Sequence, residues 1–365
     1  MENSLKAKNK VSFFNDAVKF SLLSIALGLL VGAIVLVISG NDPIVVYGAM
    51  IEGIIGKPKY IAWTIIKATP YILTGLSIAF AFKTGLFNIG AEGQFIIGAL
   101  VATILGYSLD LPAIIHIPVT MIVAGLAGGL WGAISGFLKA KFGINEVIAS
   151  IMLNWIAFYL SNFMVSNSFL SIPNSEASVN VKDTASISIH WMKDLVGPAT
   201  SVNWGIVISL ILVFIIWFIL TKTTLGFELR AVGHNRDAAE YAGIDVSKSI
   251  LKSMAIAGLL AGIAGAIQVM GVTNVITVLP TQEGYGFDGI AVALIANNNP
   301  IGVIFSGLLF GAFKYGGTKM QSVGAPSEVI SIIIGSIVYF IALVHVIKIA
   351  VQKMSKKRKN EGVNE

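Results

Sequence analysis

The sequence predicts an all-α membrane protein: a polytopic transmembrane helical bundle of about ten membrane segments, with broken or half-depth helices among them. Three observations predict it. Of the 365 residues, 55% are hydrophobic and 12% charged, against about 25% charged in an ordinary soluble domain. Mean hydropathy is +0.83. Apolar stretches long enough to cross a bilayer recur from end to end, which excludes disorder, collagen and a water-soluble enzyme of ordinary composition.

A helix needs about 20 apolar residues to cross the hydrocarbon core. The stretches that qualify are 18–39, 61–82, 87–107, 113–138, 147–165, 204–220, 251–272, 301–315 and 329–349. A shorter segment, 287–296, pairs with 301–315. It is too short for a full crossing and reads as the half-depth helix. The first stretch follows a basic region as a signal peptide would. It is longer than a signal's apolar region and no small-residue cleavage pattern follows, so it reads as a retained helix.

Of the 25 Lys and Arg, Lys67 and Lys314 fall inside spans. With the N-terminus placed in the cytoplasm, the outer side receives Lys57, Lys59, Lys182, Lys193 and Lys319, and the other 18 fall inside. This asymmetry predicts that both termini are cytoplasmic. The organisation expected is a cytoplasmic segment 1–17, a membrane domain 18–349 and a basic cytoplasmic tail 350–365. The tail's cluster 353–359 reads as lipid-facing rather than nucleic-acid-binding. The net charge of +6 is thereby assigned to membrane orientation.

Cysteine is absent, and the four His (His116, His190, His234, His345) show no metal-ligand spacing. Neither a metal centre nor a catalytic residue is expected. An intramembrane enzyme would need a convergent nucleophile, base or metal cluster, and none is visible.

Three polar clusters interrupt the apolar runs. Intramembrane polar groups are costly and usually face a cavity, a partner or an interface. The first, 83–94, reads KTGLFNIGAEGQ and holds Asn88, Glu92 and Gln94 among three glycines. It fits a helix break beside a pathway, because irregular backbone at membrane depth survives only inside protein or along water. It equally fits a turn at the cytoplasmic end, with Glu92 complementing a helix dipole. The second, 284–300, reads GYGFDGIAVALIANNNP. Asp288 stands where a short helix begins, and Asn297, Asn298, Asn299 and Pro300 end it, the pattern of a discontinuous segment. Its G-x-G-x-x-G match lacks the strand and acidic residue of a dinucleotide site. The third, 143–154, reads GINEVIASIMLN. Asn145 caps a helix there, while the deeper Asn154 is either interhelical glue or a substrate contact. Gln268 is a lone amide in a later span. The glycine pairs Gly125/Gly129, Gly128/Gly132, Gly132/Gly136, Gly258/Gly262 and Gly307/Gly311 repeat a small-xxx-small spacing that serves close helix packing.

Segment 221–250 is the inner loop with internal pattern, GFELRAVGHNRDAAEYAGIDVSKSI. Gly226 and Gly233 permit bends, Asn235 caps a short helix over 237–242, and Gly243 stops it. Such a helix suits a partner's groove, or the loop merely joins two spans. The outer segment 166–203 reads as a short lid or docking surface.

The residues Gly226, Glu228, Arg230, Ala231, Val232, Gly233, Asn235, Ala238, Ala239, Gly243 and Ile244 resemble the cytoplasmic coupling segment of ABC-importer permeases that serve ribose, nucleosides and branched-chain amino acids. Residues 85–93 are similar to that family's Gly-Leu-Phe-Asn-Ile-Gly-x-Glu-Gly element. Residues 145–148, 152–154, 286–289 and 297–300 resemble its nucleoside-type (guanosine-type) branch, and the resemblance runs over about 60–347.

The resemblance implies a multi-pass permease subunit in a bacterial cell membrane, translocating nucleosides. A ribose-type sugar, a branched-chain amino acid or an ion-coupled mechanism are the alternatives. It implies a cytoplasmic ABC ATPase, a second and non-identical permease, and an extracytoplasmic substrate-binding lipoprotein as partners. No G-x-x-x-x-G-K-[ST] occurs, since Gly53–Lys57 has the wrong spacing, so ATP is expected on the ATPase chain and no cofactor on this one. The expected substrate pathway comprises Asn88, Glu92, Gln94, Asn154, Gln268, Asp288 and Asn297. The expected coupling residues are Gly226, Glu228, Arg230, Gly233, Asn235, Arg236, Ala238, Ala239 and Gly243.

Overall fold

Recurring apolar stretches punctuated by Gly, Pro and Asn make a chain of helices. A computed structural model describes residues 23–343. The helices are α1 (Leu23–Ile38), α2 (Pro43–Ile55), α3 (Pro58–Phe82), α4 (Ala91–Ser108), α5 (Ala113–Phe142), α6 (Glu146–Asn167), α7 (His190–Val196), α8 (Gly205–Lys222), α9 (Thr224–His234), α10 (Arg236–Tyr241), α11 (Val246–Gln268), α12 (Tyr285–Ile295), α13 (Pro300–Ser322) and α14 (Ser327–Ala342). Among the described residues, seven helices are long and apolar enough to cross a membrane. The all-α reading holds, and the short helix read at 287–296 is present as the 11-residue α12. The segment 1–17, the tail 350–365 and the outermost parts of the first and last spans lie outside the described residues.

The chain divides into two units, 1–53 with 316–365, and 54–315. In the first, α1 meets α14 closely. A Cβ on Gly28 would stand 2.3 Å from Ile337, and one on Gly32 2.3 Å from Ile333. The Ser24 hydroxyl donates to the Phe340 carbonyl at 3.1 Å, and Tyr47 on α2 donates to the Leu29 carbonyl at 2.5 Å.

The second unit is built around α3, α4 and α11. Their apolar windows are 72–83% buried, against 28–33% for α5, α6 and α8. Helices apolar on every side need an apolar surround, which lipid or a partner provides for the outer three. The packing is set by glycine. A Cβ on Gly258 of α11 would lie 2.3 Å from the Gly128 carbonyl oxygen of α5, and one on Gly98 of α4 2.1 Å from that of Gly262. Gly307 faces Ile72, and a Cβ on Gly311 would come within 2.6 Å of Ala68 and the Thr64 carbonyl oxygen. The small-xxx-small spacing therefore does what the sequence predicts: it lets backbones approach.

After α11 the helix widens into a π turn, Val269–Thr273. The chain then folds inward before α12 begins beside mid-α3, where the Thr74 hydroxyl donates to the Tyr285 carbonyl at 3.0 Å. At its other end α12 stops on Asn297 and Asn298, both left-handed at φ 54°. Asn299 then accepts from the Ile301 N–H at 2.9 Å and starts α13. The connecting segment 168–203 packs down onto the helices rather than standing off them. Val181 and Ala185 join Ala99 and Val269 in one apolar cluster, and Ile189 and Val202 join Ile66 in another.

Candidate functional site

Two regions of the second unit carry the polar chemistry. The first is at the end bearing α9 and α10. Thr223 caps α9 by accepting from the Gly226 N–H. Asn235 caps α10 by accepting from Ala238 N–H at 3.0 Å. Gly243 then ends it at φ +84°. The short capped helix read from the sequence is thus present, shifted by one residue. The expected bends at Gly226 and Gly233 are not. Both lie inside α9, and their role is contact. A Cβ on Gly226 would meet the Ile219 carbonyl oxygen at 2.1 Å, and one on Gly233 that of Lys83 at 2.2 Å.

The Gly233 contact presses α9 onto the break between α3 and α4, while that of Gly226 packs it on α8. Arg236 reaches the Gly85 carbonyl at 3.5 Å, and the Ser253 hydroxyl of α11 donates to Thr84 at 2.9 Å. Arg230 is spent locally, donating to the Gly226 carbonyl at 3.1 Å. Burial, aided by the Arg230 cation, holds the Lys83 ammonium below its ordinary range. Ala239 and Leu229 are buried, Glu228 is half-buried and Ala238 is exposed. Tyr241, at 95% exposure, presents its whole ring beyond the end of α10.

The second region is a buried polar knot. The Asn88 and Gln94 amides pair reciprocally at 2.9 and 3.0 Å, and Asn88 also donates to the Ser77 hydroxyl at 3.1 Å. Asn154 on α6 accepts from the Gly93 N–H at 2.9 Å and donates to the Ile89 carbonyl at 3.1 Å. It thereby satisfies backbone that the break leaves unpaired. Glu92, fully buried, accepts from the N–H groups of Gly284 and Gly286 at 2.7 and 2.6 Å. Its carboxylate thus sits at the N-terminus of α12, where helix dipole and free N–H groups favour an anion. The three clusters read separately along the chain meet here: 88–94, 154 and 284–286.

The remaining predicted residues lie elsewhere. Asp288 pairs with Lys314 at 2.7 Å, and the Lys314 ammonium also stands 6.0 Å from the Tyr71 ring centroid. Asn297 is a turn residue at the opposite end of α12. Gln268 lines a cavity of about 320 Å³, together with Phe95, Ile96, Ser161, Thr273 and Glu283. Glu283 was not singled out in the sequence. Its carboxylate faces the field of Lys67, an ion in α3. Lys67 was the available signal, since a cation in a span calls for an anion nearby. Asn162 was missed as well; it donates to the Leu279 carbonyl at 2.9 Å and accepts from the Leu279 N–H at 3.1 Å. Among the described residues, no group of three or more His, Cys, Asp or Glu is placed to hold a metal ion.

The family model described as "Branched-chain amino acid transport system / permease component" matches residues 60–344. The guanosine ABC transporter permease protein NupP of Bacillus subtilis is 42% identical over 93% of this chain and 97% of its own. The nucleoside ABC transporter permease protein NupB of Lactococcus lactis is 36% identical over 93% and 95%. The glucose ABC transporter permease protein TsgB13 of Haloferax volcanii is 30% identical over 88% and 86%. No solved structure matches the chain. With a family model matching 60–344 and these relatives aligned nearly end to end, the chain belongs to the family of branched-chain amino acid transport system permease components.

Proposed function

We propose that this permease carries nucleosides across a bacterial cell membrane as one subunit of an ATP-driven importer. One observation carries the substrate class: two nucleoside permeases align with 93% of the chain. The partners proposed are a cytoplasmic ABC ATPase, a second homologous permease and an extracytoplasmic lipoprotein that delivers substrate. ATP is bound and hydrolysed by the ATPase; the permease makes and breaks no covalent bond. Both termini lie in the cytoplasm in this reading.

The mechanism proposed is alternating access. The α10 helix, with Asn235, Arg236, Ala238 and the projecting Tyr241, seats in a cleft of the ATPase. Closure of the ATPase dimer moves α9, and Gly233 passes the motion to Lys83 and Gly85 because the two backbones are in contact. The polar knot of Asn88, Glu92, Gln94 and Asn154 lies next along the chain and links that break to α12. Gln268, Asp288 and Asn297 complete the pathway set. Selectivity is shared with the binding protein, so few charged groups are needed in the spans.

Uptake of radiolabelled guanosine by cells expressing the complete importer tests this. Competition by other nucleosides is expected. Competition by ribose or leucine alone would defeat it. The similarity to a glucose permease favours a sugar as the second reading, and the same competition assay separates the two.

A further inference from the structure

The cavity beside α4, α6 and the π turn has the composition of a small-molecule site. Its walls are largely apolar, from Phe95, Ile96 and Val269, with a few polar groups from Ser161, Gln268 and Glu283. At about 320 Å³ it falls at the small end of the range for ligand pockets, about 300–1,000 Å³. That suits a metabolite rather than a lipid or a peptide.

Glu283 is the unusual member. It is the one charged residue of the lining, and its side chain is exposed and free to meet a ligand. No hydrogen bond to it is present among the described residues, and the interaction that favours its charge is the field of Lys67. Its position is nonetheless fixed. Leu279, four residues earlier, is clamped through both its backbone groups by Asn162, and the next residue, Gly284, donates to Glu92 at 2.7 Å. A segment pinned at both ends holds an acceptor-only group at the wall of an apolar cavity.

We infer that this cavity is a nucleoside station on the transport path and that Glu283 is its base-reading residue, selecting bases that present two adjacent N–H donors. The inference rests on the nucleoside reading above. A carboxylate offers two acceptor oxygens and no donor. Guanine presents its ring N1–H and its 2-amino group side by side and satisfies both oxygens. Adenine presents an acceptor at ring N1, which a carboxylate repels. Gln268, with donors and an acceptor on one amide, and the Ser161 hydroxyl suit the sugar hydroxyls or the remaining base edge.

The test uses the assembled importer in lipid nanodiscs without the binding protein, with equilibrium binding of tritiated guanosine and adenosine. The wild type is expected to prefer guanosine. Glu283→Gln is expected to weaken guanosine binding about tenfold or more, the worth of a hydrogen bond to a charged group. Adenosine binding is expected to hold or improve. Should Glu283→Gln not assemble, Glu283→Asp is read by the same guanosine-to-adenosine ratio, which the shorter reach lowers. If Glu283 serves only to balance Lys67, Glu283→Gln weakens both nucleosides alike and Lys67→Met restores them; that result overturns the inference. Import of guanosine with no binding in the absence of the binding protein overturns the station. A complete wild-type importer that takes up no nucleoside overturns the nucleoside reading itself.

Discussion

The carboxylate of Glu92 accepts the N–H of Gly286 at 2.6 Å across 194 residues of sequence. The same carboxylate takes the Gly284 N–H, so one side chain closes the N-terminus of α12 and fixes it to the start of α4. A half-depth helix begins with N–H groups that neither water nor the helix itself satisfies. Glu92 supplies the missing acceptor. Gly286 is required because a Cβ there would lie 2.2 Å from the Glu92 backbone nitrogen.

Replacing Glu92 by Ala strands two buried donors. Each unsatisfied donor costs about 1–3 kcal/mol, so Glu92→Ala is expected to lower stability by roughly 2–6 kcal/mol and to abolish uptake. Glu92→Gln keeps an acceptor oxygen and is expected to cost less. Denaturation of the purified protein in detergent measures both, and equal losses for the two variants would show that charge rather than hydrogen bonding holds α12.

Glycine substitutions separate packing from flexibility. Gly258→Ala forces a methyl to within 2.3 Å of the Gly128 carbonyl oxygen and pushes α11 from α5. It is expected to destabilise by about 1–3 kcal/mol, as overpacking of a core does. Gly335→Ala on α14 meets nothing within 4 Å and is expected to be neutral or to stabilise by about 0.5–1 kcal/mol. Paired melting curves decide it; a Gly258→Ala protein as stable as the parent would show that the helix contact can relax.

Acid weakens one cap outside the membrane. Asp245 accepts from the Lys248 N–H at 2.9 Å at the start of α11. That hydrogen bond, together with the Lys248 side chain, holds its carboxyl below the usual 3.8. A carboxyl depressed in the folded state contributes stability that is present above its ordinary value and lost as pH falls through the folded value. Asp245→Ala is therefore expected to lower the melting temperature at pH 7, with the gap to the parent narrowing below about pH 4. A gap independent of pH would assign the effect to helix propensity alone.

The spans were legible because the bilayer demands about 20 apolar residues, a signal carried by composition in one window. The caps at Asn235 and Asn145 were legible for the same local reason. What the sequence hid is the pairing across it. Asn88, Glu92 and Gln94 read alike as pathway candidates or turn residues, because Asn88 and Gln94 pair with each other, while Glu92 finds its partner 192 residues away at Gly284 and the neighbouring Gly93 finds Asn154 61 residues away. The helix α2 went unread, its 13 residues being short of a crossing. Glu283 was invisible for a further reason: an acid in a loop is ordinary until the loop is seen to fold back toward the half-buried Lys67. Gly233 looked like a hinge, since glycine's two uses, freedom and smallness, share one letter.

Gly233 is also where coupling is most exposed to test. Its added Cβ would stand 2.2 Å from the Lys83 carbonyl oxygen and 3.1 Å from the Gly85 nitrogen. These are backbone atoms, which cannot swing aside as a side chain does. Gly233→Val therefore lifts α9 from the α3–α4 break while leaving every transmembrane helix unchanged in sequence. Membrane insertion is expected to stay normal and uptake to fall to background. Ala239→Phe attacks the same unit from α10, where Ala239 is 4% exposed against the protein, and is expected to lose ATPase association. Membrane fractionation, co-purification of the ATPase and guanosine uptake report the three quantities separately. If Gly233→Val inserts, retains the ATPase and transports at the parental rate, α9 is a connector and the motion enters the bundle elsewhere.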